Sequence, residues 1–128
     1  MSTSKCRILY VDDHEDSAEM LKLLLEPMDY EVVAAHSFDE ALEFARTGQF
    51  DLYVLDKRLP DGSGVDLCKR LTKMSPTVPC IFYTGDAYET HRQEAAAAGA
   101  AAFVSKPDVD ALIETVQRYL SNSECAAA

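Results

Sequence analysis

The segment ILYVDD, residues 8–13, places four apolar residues directly before two aspartates. Further apolar runs recur at regular intervals, at residues 32–35, 52–55, 80–83 and 101–104. None of these runs alternates cleanly with polar residues, as a strand with one solvent-exposed face would. Short runs rich in β-branched and aromatic residues are typical of strands that are covered on both faces. The sequence therefore predicts five buried strands.

Helical patterns occupy the segments between these runs. Phe38, Ala41, Leu42 and Ala45 have the spacing of one helix face, and apolar residues between 109 and 120 repeat it. A fourth helix is predicted around the alanine-rich residues 88–98. Five alternations of strand and helix predict a doubly wound α/β fold, in which helices cover both faces of a parallel sheet.

Composition narrows the class of protein. The chain has 128 residues, the size of one domain, and a formal net charge of −10. Such a charge argues against nucleic acid as a direct partner, because phosphate backbones favour basic surfaces. No apolar run is long enough to cross a membrane, and residues 1–5 do not resemble a secretion signal. We expect a cytoplasmic domain with no membrane partner, and scattered cysteines that do not form a disulfide framework.

Polar residues stand at the ends of the predicted strands. Asp12 and Asp13 follow the first strand, Asp56 follows the third, Thr84 follows the fourth, and Lys106 comes shortly after the fifth. Parallel strands end at the same edge of a sheet, which is where ligands of α/β sheets bind. We therefore expect these five side chains to lie close together.

Their chemistry suits a metal and a phosphoryl group. Three carboxylates at close range repel one another unless a cation neutralises them, and hard oxygen donors favour Mg²⁺, or Mn²⁺ as a substitute, over zinc. A carboxylate can also be the nucleophile that forms an aspartyl phosphate. Lys106 and Thr84 could then supply the cation and the hydrogen-bond donor that stabilise the developing charge. The histidines have no ligand spacing and are predicted to lie on the surface: His14, His36 and His91.

These motifs together resemble the receiver domain of two-component response regulators. The matching segments, in the family's order and at its intervals, are ILYVDD at 8–13, LD at 55–56, LPDGSG at 59–64, TG at 84–85 and KP at 106–107. The resemblance implies a (βα)5 fold with the flavodoxin-like strand order 2-1-3-4-5. It also implies a receiver domain over residues 6–121, between flexible termini at 1–5 and 122–128.

The resemblance implies roles for the acidic residues. Asp56 would be the phosphoacceptor. Asp13 would bind Mg²⁺ directly and Asp12 mainly through water, while Arg58 would add its backbone carbonyl. The side chains of Arg58 and Asp86 would flank the phosphoryl group, and their opposite charges could form a lid that slows its hydrolysis.

The remaining roles concern the phosphoryl group and its signal. Lys106 would pair with the phosphoryl oxygens, and its peptide bond to Pro107 would be cis. Thr84 would move toward the phosphate, and Phe103 would move with it. The switch would change the face formed by the fourth helix, fifth strand and fifth helix.

The implied function is signal transduction by phosphorelay. The phosphoryl donor would be a histidine kinase, a histidine phosphotransfer protein or a small molecule such as acetyl phosphate. We expect no enzyme activity beyond Mg²⁺-dependent self-phosphorylation and autodephosphorylation, an unknown downstream protein target, and a monomer or a weak phosphorylation-dependent dimer.

Two alternatives stay open. One is an Mg²⁺-dependent phosphoaspartyl hydrolase or phosphatase of the haloacid dehalogenase type, although its second aspartate would stand two residues after the first, where this chain has His14 after Asp12. The other is a degenerate receiver that acts only as a docking module, although the set of site residues is intact.

Overall fold

A computed structural model of the chain describes residues 6–85 and 89–120, without the side chains of residues 89–91. The elements in chain order are β1 (Cys6–Val11), α1 (Glu15–Leu25), a 3-10 turn (Glu26–Met28), β2 (Tyr30–Ala35), α2 (Phe38–Thr47), β3 (Leu52–Leu55), β4 (Arg58–Leu59), β5 (Gly62–Ser63), α3 (Gly64–Met74), β6 (Cys80–Thr84), α4 (Glu89–Ala97), β7 (Ala102–Ser105) and α5 (Val109–Leu120). The predicted alternation of strands and helices is confirmed.

Five parallel strands form the main sheet, in the order β2-β1-β3-β6-β7. This is the predicted order 2-1-3-4-5, because the short strands β4 and β5 pair only with each other in a separate antiparallel hairpin. That hairpin was not predicted, since strands of two residues leave no periodic pattern. It lies in the segment that joins β3 to α3, and its first strand begins two residues after Asp56.

The sheet separates two apolar clusters. Leu9 and Val11 of β1 point into the cluster that contains residues of α2, α3 and α4. Ile8 and Tyr10 of the same strand point into the cluster that contains residues of α1 and α5. The strands β1, β3 and β6 are buried on both faces, so their sequences show no alternation of apolar and polar residues, whereas the edge strands β2 and β7 are only partly buried.

Capping residues define the boundaries of α2. The Ser37 hydroxyl oxygen accepts a hydrogen bond from the Glu40 backbone amide at 3.1 Å, and the helix ends before Gly48. The Glu40 carboxylate accepts from the His36 amide at 2.6 Å, one residue before the usual partner in a capping box. These two side chains thus accept hydrogen bonds from backbone amides that have no acceptor within the helix.

Other expectations are met in part. None of the helices within residues 6–85 and 89–120 is long and apolar enough to cross a membrane. Cys68 and Cys80 are buried and free, as their apolar context indicates. Cys6, in contrast, is disulfide-bonded, which the scattered spacing of the cysteines did not indicate.

Candidate functional site

The side chains predicted from strand ends do converge at one edge of the sheet. A cavity of about 400 Å³ lies there, and its lining residues are Asp13, His14, Asp56, Arg58, Thr84, Gly85 and Lys106. Asp12 lies beneath it and is fully buried, while Asp56 and Thr84 are also buried. All five predicted positions therefore belong to one small acidic site, to which Lys106 contributes its ammonium.

Lys106 joins the two buried carboxylates. Its ammonium lies 2.6 Å from Asp12 Oδ2 and 3.3 Å from Asp56 Oδ2. Its backbone amide donates to the Thr84 carbonyl at 2.9 Å, which extends the pairing of β7 with β6 by one residue. The cis peptide bond between Lys106 and Pro107 is confirmed. Burial alone would lower the pKa of Lys106, but the carboxylates of Asp12 and Asp56 outweigh burial and raise it.

Asp12 receives hydrogen bonds on both oxygens. The Tyr10 hydroxyl donates to Oδ2 at 2.5 Å, beside the Lys106 ammonium, and the His14 backbone amide donates to Oδ1 at 3.0 Å. Burial by itself would raise the pKa of Asp12, but these donors stabilise the charged form and lower the pKa to about 2. A buried carboxylate thus stays ionised next to the proposed acceptor.

A histidine lies at the exposed end of the site. His14 Nδ1 lies 3.0 Å from Asp12 Oδ1 and 3.1 Å from Asp13 Oδ1. The hydrogen bond with Asp12 is the main reason that the pKa of His14 is raised. His14 is exposed, as predicted from the sequence. Its direct contact with both aspartates was not predicted, because the histidines have no ligand spacing. The path of the turn after β1 brings Nδ1 to both carboxylates, and no sequence pattern specifies that path.

The donor atoms are grouped closely enough to hold a divalent ion. Asp12, Asp13, His14 and Asp56 each offer one ligand atom, and these atoms lie within 4.8 Å of one another. Most are hard carboxylate oxygens, which fit Mg²⁺. The Lys106 ammonium occupies Oδ2 of Asp12 and of Asp56, so the other oxygen of each carboxylate remains for the ion.

The loop after Asp56 carries two basic residues with different surroundings. Lys57 forms an ion pair of 3.2 Å with Glu94 of α4. Arg58 lines the cavity, and its backbone amide lies 3.5 Å from Asp56 Oδ1, at the limit of a hydrogen bond. The predicted partner of the Arg58 side chain, Asp86, lies outside the described residues. The Lys57–Glu94 pair was not predicted, because it depends on how α4 packs against the loop.

Phe103 is half-buried and holds a defined place on β7. Its ring stacks on Phe82 with 6.2 Å between ring centroids, and the Arg92 guanidinium lies 4.8 Å above it. Phe103 also lines a groove of about 460 Å³ whose other residues are Arg92 and five alanines of α4 and β7 and their connection. The small side chains leave room beside the ring.

The geometry and the sequence agree with one protein family. The chain belongs to the response regulator receiver domain family, whose profile matches residues 8–117. It is therefore a response regulator receiver domain of two-component systems. Receiver domains bind Mg²⁺ at an acidic pocket and interact with histidine kinases and phosphotransfer proteins.

Individual relatives support this assignment. The response regulator protein PilR of Pseudomonas aeruginosa is 36% identical over 118 residues, which are 91% of this chain and 26% of PilR. The non-phosphorylated HemR receiver domain of Leptospira biflexa has a TM-score of 0.86 and 38% identity, covering 94% of this chain and 98% of HemR. Response regulator TrrA of Thermotoga maritima, solved with Mg²⁺ and BeF, has a TM-score of 0.81 and 33% identity. The match covers 90% of this chain and 99% of TrrA. The chain spans from 26% to 51% of the lengths of the first curated relatives that it matches.

Proposed function

We propose that this receiver domain is a phosphorylation switch in which Asp56 accepts a phosphoryl group. The observation that carries the proposal is the placement of the Asp56 carboxylate at a cavity, with the Lys106 ammonium 3.3 Å away on one side. Asp13 and His14 line the same cavity. A nucleophile, a fixed cation and acidic metal ligands thus share one solvent-accessible site.

Phosphoryl transfer would proceed by displacement at phosphorus. A carboxylate oxygen of Asp56 attacks the phosphorus of a phosphohistidine, the P–N bond breaks, and its electron pair goes to the leaving nitrogen, which binds a proton. Lys106 stabilises the negative charge on the phosphoryl oxygens. Mg²⁺ bound by Asp13, Asp12, Asp56 and the Arg58 carbonyl would supply further positive charge to those oxygens.

The surroundings of Lys106 prepare it for this role. In the unphosphorylated chain its ammonium lies nearer to Asp12 than to Asp56, at 2.6 Å against 3.3 Å. Asp12 stays ionised because Lys106 itself, and after it Tyr10 and the backbone amide of His14, stabilise its charge. Lys106 can therefore keep one carboxylate partner while it turns its other donors to the phosphoryl oxygens, so the site does not need to expose an unpaired cation.

The same proposal includes a conformational response. Thr84 is buried at the end of β6, and Phe103 lies on the adjacent strand β7. We assign Thr84 as the hydroxyl that approaches the phosphate and Phe103 as the ring that moves with it. The alanine-lined groove beside Phe103 supports this assignment, because it gives the ring space. The altered surface would be formed by α4, β7 and α5.

Phosphorylation by acetyl phosphate tests the proposal. With Mg²⁺, the wild-type chain should gain one phosphate that hydroxylamine removes, and Asp56→Asn should gain none. Asp66→Asn, a change at an exposed aspartate of α3, is the matched control and should be labelled like wild type. Equal labelling of Asp56→Asn would refute the assignment of Asp56 as the acceptor, and failure of the wild type to gain phosphate would favour the docking module.

A turnover measurement separates the switch from a phosphatase. We expect the chain to release only its own phosphoryl group, with no multiple turnover of a phosphomonoester. Sustained hydrolysis of such an ester that Asp56→Asn abolishes would favour the hydrolase alternative.

A further inference from the structure

We propose that His14 is an additional metal ligand, which makes the site bind imidazole-preferring ions such as Ni²⁺ and Zn²⁺ in preference to Mg²⁺. The inference rests on the proposed function only in using the same acidic site. It assigns a specificity-determining role to a residue that the resemblance to receiver domains left without one.

The distances fit a shared ion. His14 Nδ1 lies 3.0 Å from Asp12 Oδ1 and 3.1 Å from Asp13 Oδ1. An octahedral ion with bonds of about 2.1 Å separates adjacent ligands by about 3.0 Å, since this edge is the bond length multiplied by the square root of two. The same distances suit a hydrogen bond before metal is added. An ion could therefore replace the shared proton with little movement of the three side chains.

The surroundings hold these atoms in place and leave them accessible. The His14 backbone amide donates to Asp12 Oδ1, which fixes that oxygen beside the ring. Tyr10 and Lys106 occupy Asp12 Oδ2, so Oδ1 is the atom that faces the ion. The side chain of His14 is 68% exposed and that of Asp13 is 40% exposed. An ion can therefore enter from solvent without disturbing the core.

A second histidine near the site is already engaged. His36 Nδ1 lies 3.0 Å from the Asp12 backbone carbonyl, so it donates this hydrogen bond and cannot also bind a metal through that nitrogen. The ligand atoms grouped around Asp12 belong to Asp13, His14 and Asp56, without His36. The nitrogen donor is therefore assigned to His14, in the tautomer whose proton is on Nε2.

The chemical consequence is a change in metal preference. Mg²⁺ prefers oxygen ligands and keeps much of its water, whereas Ni²⁺ and Zn²⁺ bind imidazole well. A nitrogen beside two carboxylates should therefore add more to the affinity for Ni²⁺ than to that for Mg²⁺. An ion bound in this way would compete with Mg²⁺ at the site.

Calorimetric titration of the full chain with MgCl₂ and with NiCl₂ tests the inference, with His14→Gln as the variant. The ratio of Ni²⁺ affinity to Mg²⁺ affinity should fall by at least about tenfold, as losses at metal sites commonly do. Zn²⁺ added to ¹⁵N-labelled protein should also shift the Nδ1 resonance of His14. An unchanged ratio, or an Nδ1 resonance that does not move, would overturn the inference.

Two further variants locate the ligand set. Asp13→Asn should weaken the binding of both ions, because its carboxylate serves each of them. His36→Gln should keep the wild-type ratio, and a fall equal to that of His14→Gln would overturn the assignment of the nitrogen to His14. If Mg²⁺-dependent phosphorylation is normal but His14→Gln leaves the ratio of Ni²⁺ affinity to Mg²⁺ affinity unchanged, this inference is refuted and the proposed function is not. Failure of wild type to accept phosphate from acetyl phosphate refutes the proposed function instead.

Discussion

The Lys57 ammonium lies 3.2 Å from the Glu94 carboxylate and so ties the residue after Asp56 to helix α4. The Lys57 side chain is only 16% exposed, whereas that of Glu94 is 56% exposed. The acceptor loop and one helix of the proposed switch surface are therefore joined by a direct contact. A change at Asp56 that shifts this loop would pull on α4 through it.

Removing the Lys57–Glu94 pair should loosen α4 in the unphosphorylated chain. Lys57→Gln and Glu94→Gln should each raise amide hydrogen exchange in residues 92–97, and the double variant should add little. An ion pair with one partner exposed to solvent contributes about 0.2–1 kcal/mol, so exchange should rise by at most about fivefold and less in high salt. Lys69→Gln, at an exposed position of α3, is the control. Strictly additive effects of the two changes would show that the side chains do not interact.

Gly64 should not tolerate a side chain. A Cβ at this position would overlap the backbone carbonyl of Asp56, because the Gly64 amide donates to the Lys57 carbonyl at 2.7 Å and draws the two segments together. Gly64→Ala should therefore lower the free energy of unfolding by about 1–3 kcal/mol, measured by urea denaturation. The Gly85→Ala control should change it little, since a Cβ there would meet no atom within 4 Å. Equal effects of the two changes would contradict the close approach at Gly64.

The stabilising effect of Asp61 should depend on pH. Its carboxylate accepts hydrogen bonds from the amides of Phe38 at 2.7 Å and Asp39 at 3.2 Å, at the start of α2. The first of these bonds is the main reason that the pKa of Asp61 is lowered in the folded chain. A lowered folded pKa means that the stabilisation is complete above the pKa of the unfolded chain and is lost as the pH falls through the folded value.

Urea denaturation between pH 7 and pH 3 checks this expectation. Asp61→Ala should unfold at lower urea than wild type at pH 7, and the two midpoints should approach each other as the pH falls. Asp110→Ala, an exposed acidic residue in the first turn of α5, is the control and should show no comparable trend. If the difference between the two urea midpoints stays constant across this pH range, the ionised carboxylate of Asp61 is excluded as its cause.

The sheet and the acidic site could be predicted because each has a local signal. Buried parallel strands appear as short apolar runs, and parallel topology brings their ends to one edge. Asp12, Asp56, Thr84 and Lys106 follow from that rule alone. The hairpin of β4 and β5 has no such signal, because two residues are too few to show a period.

The partners of the site residues were harder to predict. Tyr10 and Asp12 are two residues apart at the end of one strand, so alternation places them on the same face, and this signal was available. The contacts of His14 and of Lys57 depend instead on the path of the loops that follow β1 and β3. Sequence periodicity does not specify such paths.

The hydrogen bond from Tyr10 to Asp12 supports the last prediction. Both side chains are fully buried, and the donor and acceptor oxygens lie 2.5 Å apart. Burial and the neighbouring carboxylate raise the pKa of Tyr10, so the phenol keeps its proton and donates to Asp12. Loss of a hydrogen bond to a buried charge is costly, and without Tyr10 the Oδ2 atom of Asp12 would keep only the Lys106 ammonium as a donor.

Tyr10→Phe should lower the free energy of unfolding by about 1.5–3 kcal/mol at pH 7, measured by urea denaturation. The matched control is Tyr53→Phe, because Tyr53 is equally buried but its hydroxyl donates to the neutral Ser75 hydroxyl at a longer 3.4 Å. That change should cost about 0.5–1 kcal/mol.

The pKa of Asp12, lowered to about 2 by Lys106 and Tyr10 against its burial, should rise in Tyr10→Phe. The loss in free energy of unfolding caused by Tyr10→Phe should then shrink as the pH falls from the ordinary pKa of aspartate toward 2, since protonated Asp12 no longer needs the donor. Equal losses in both variants at pH 7 would show that the charge of Asp12 adds nothing to this hydrogen bond.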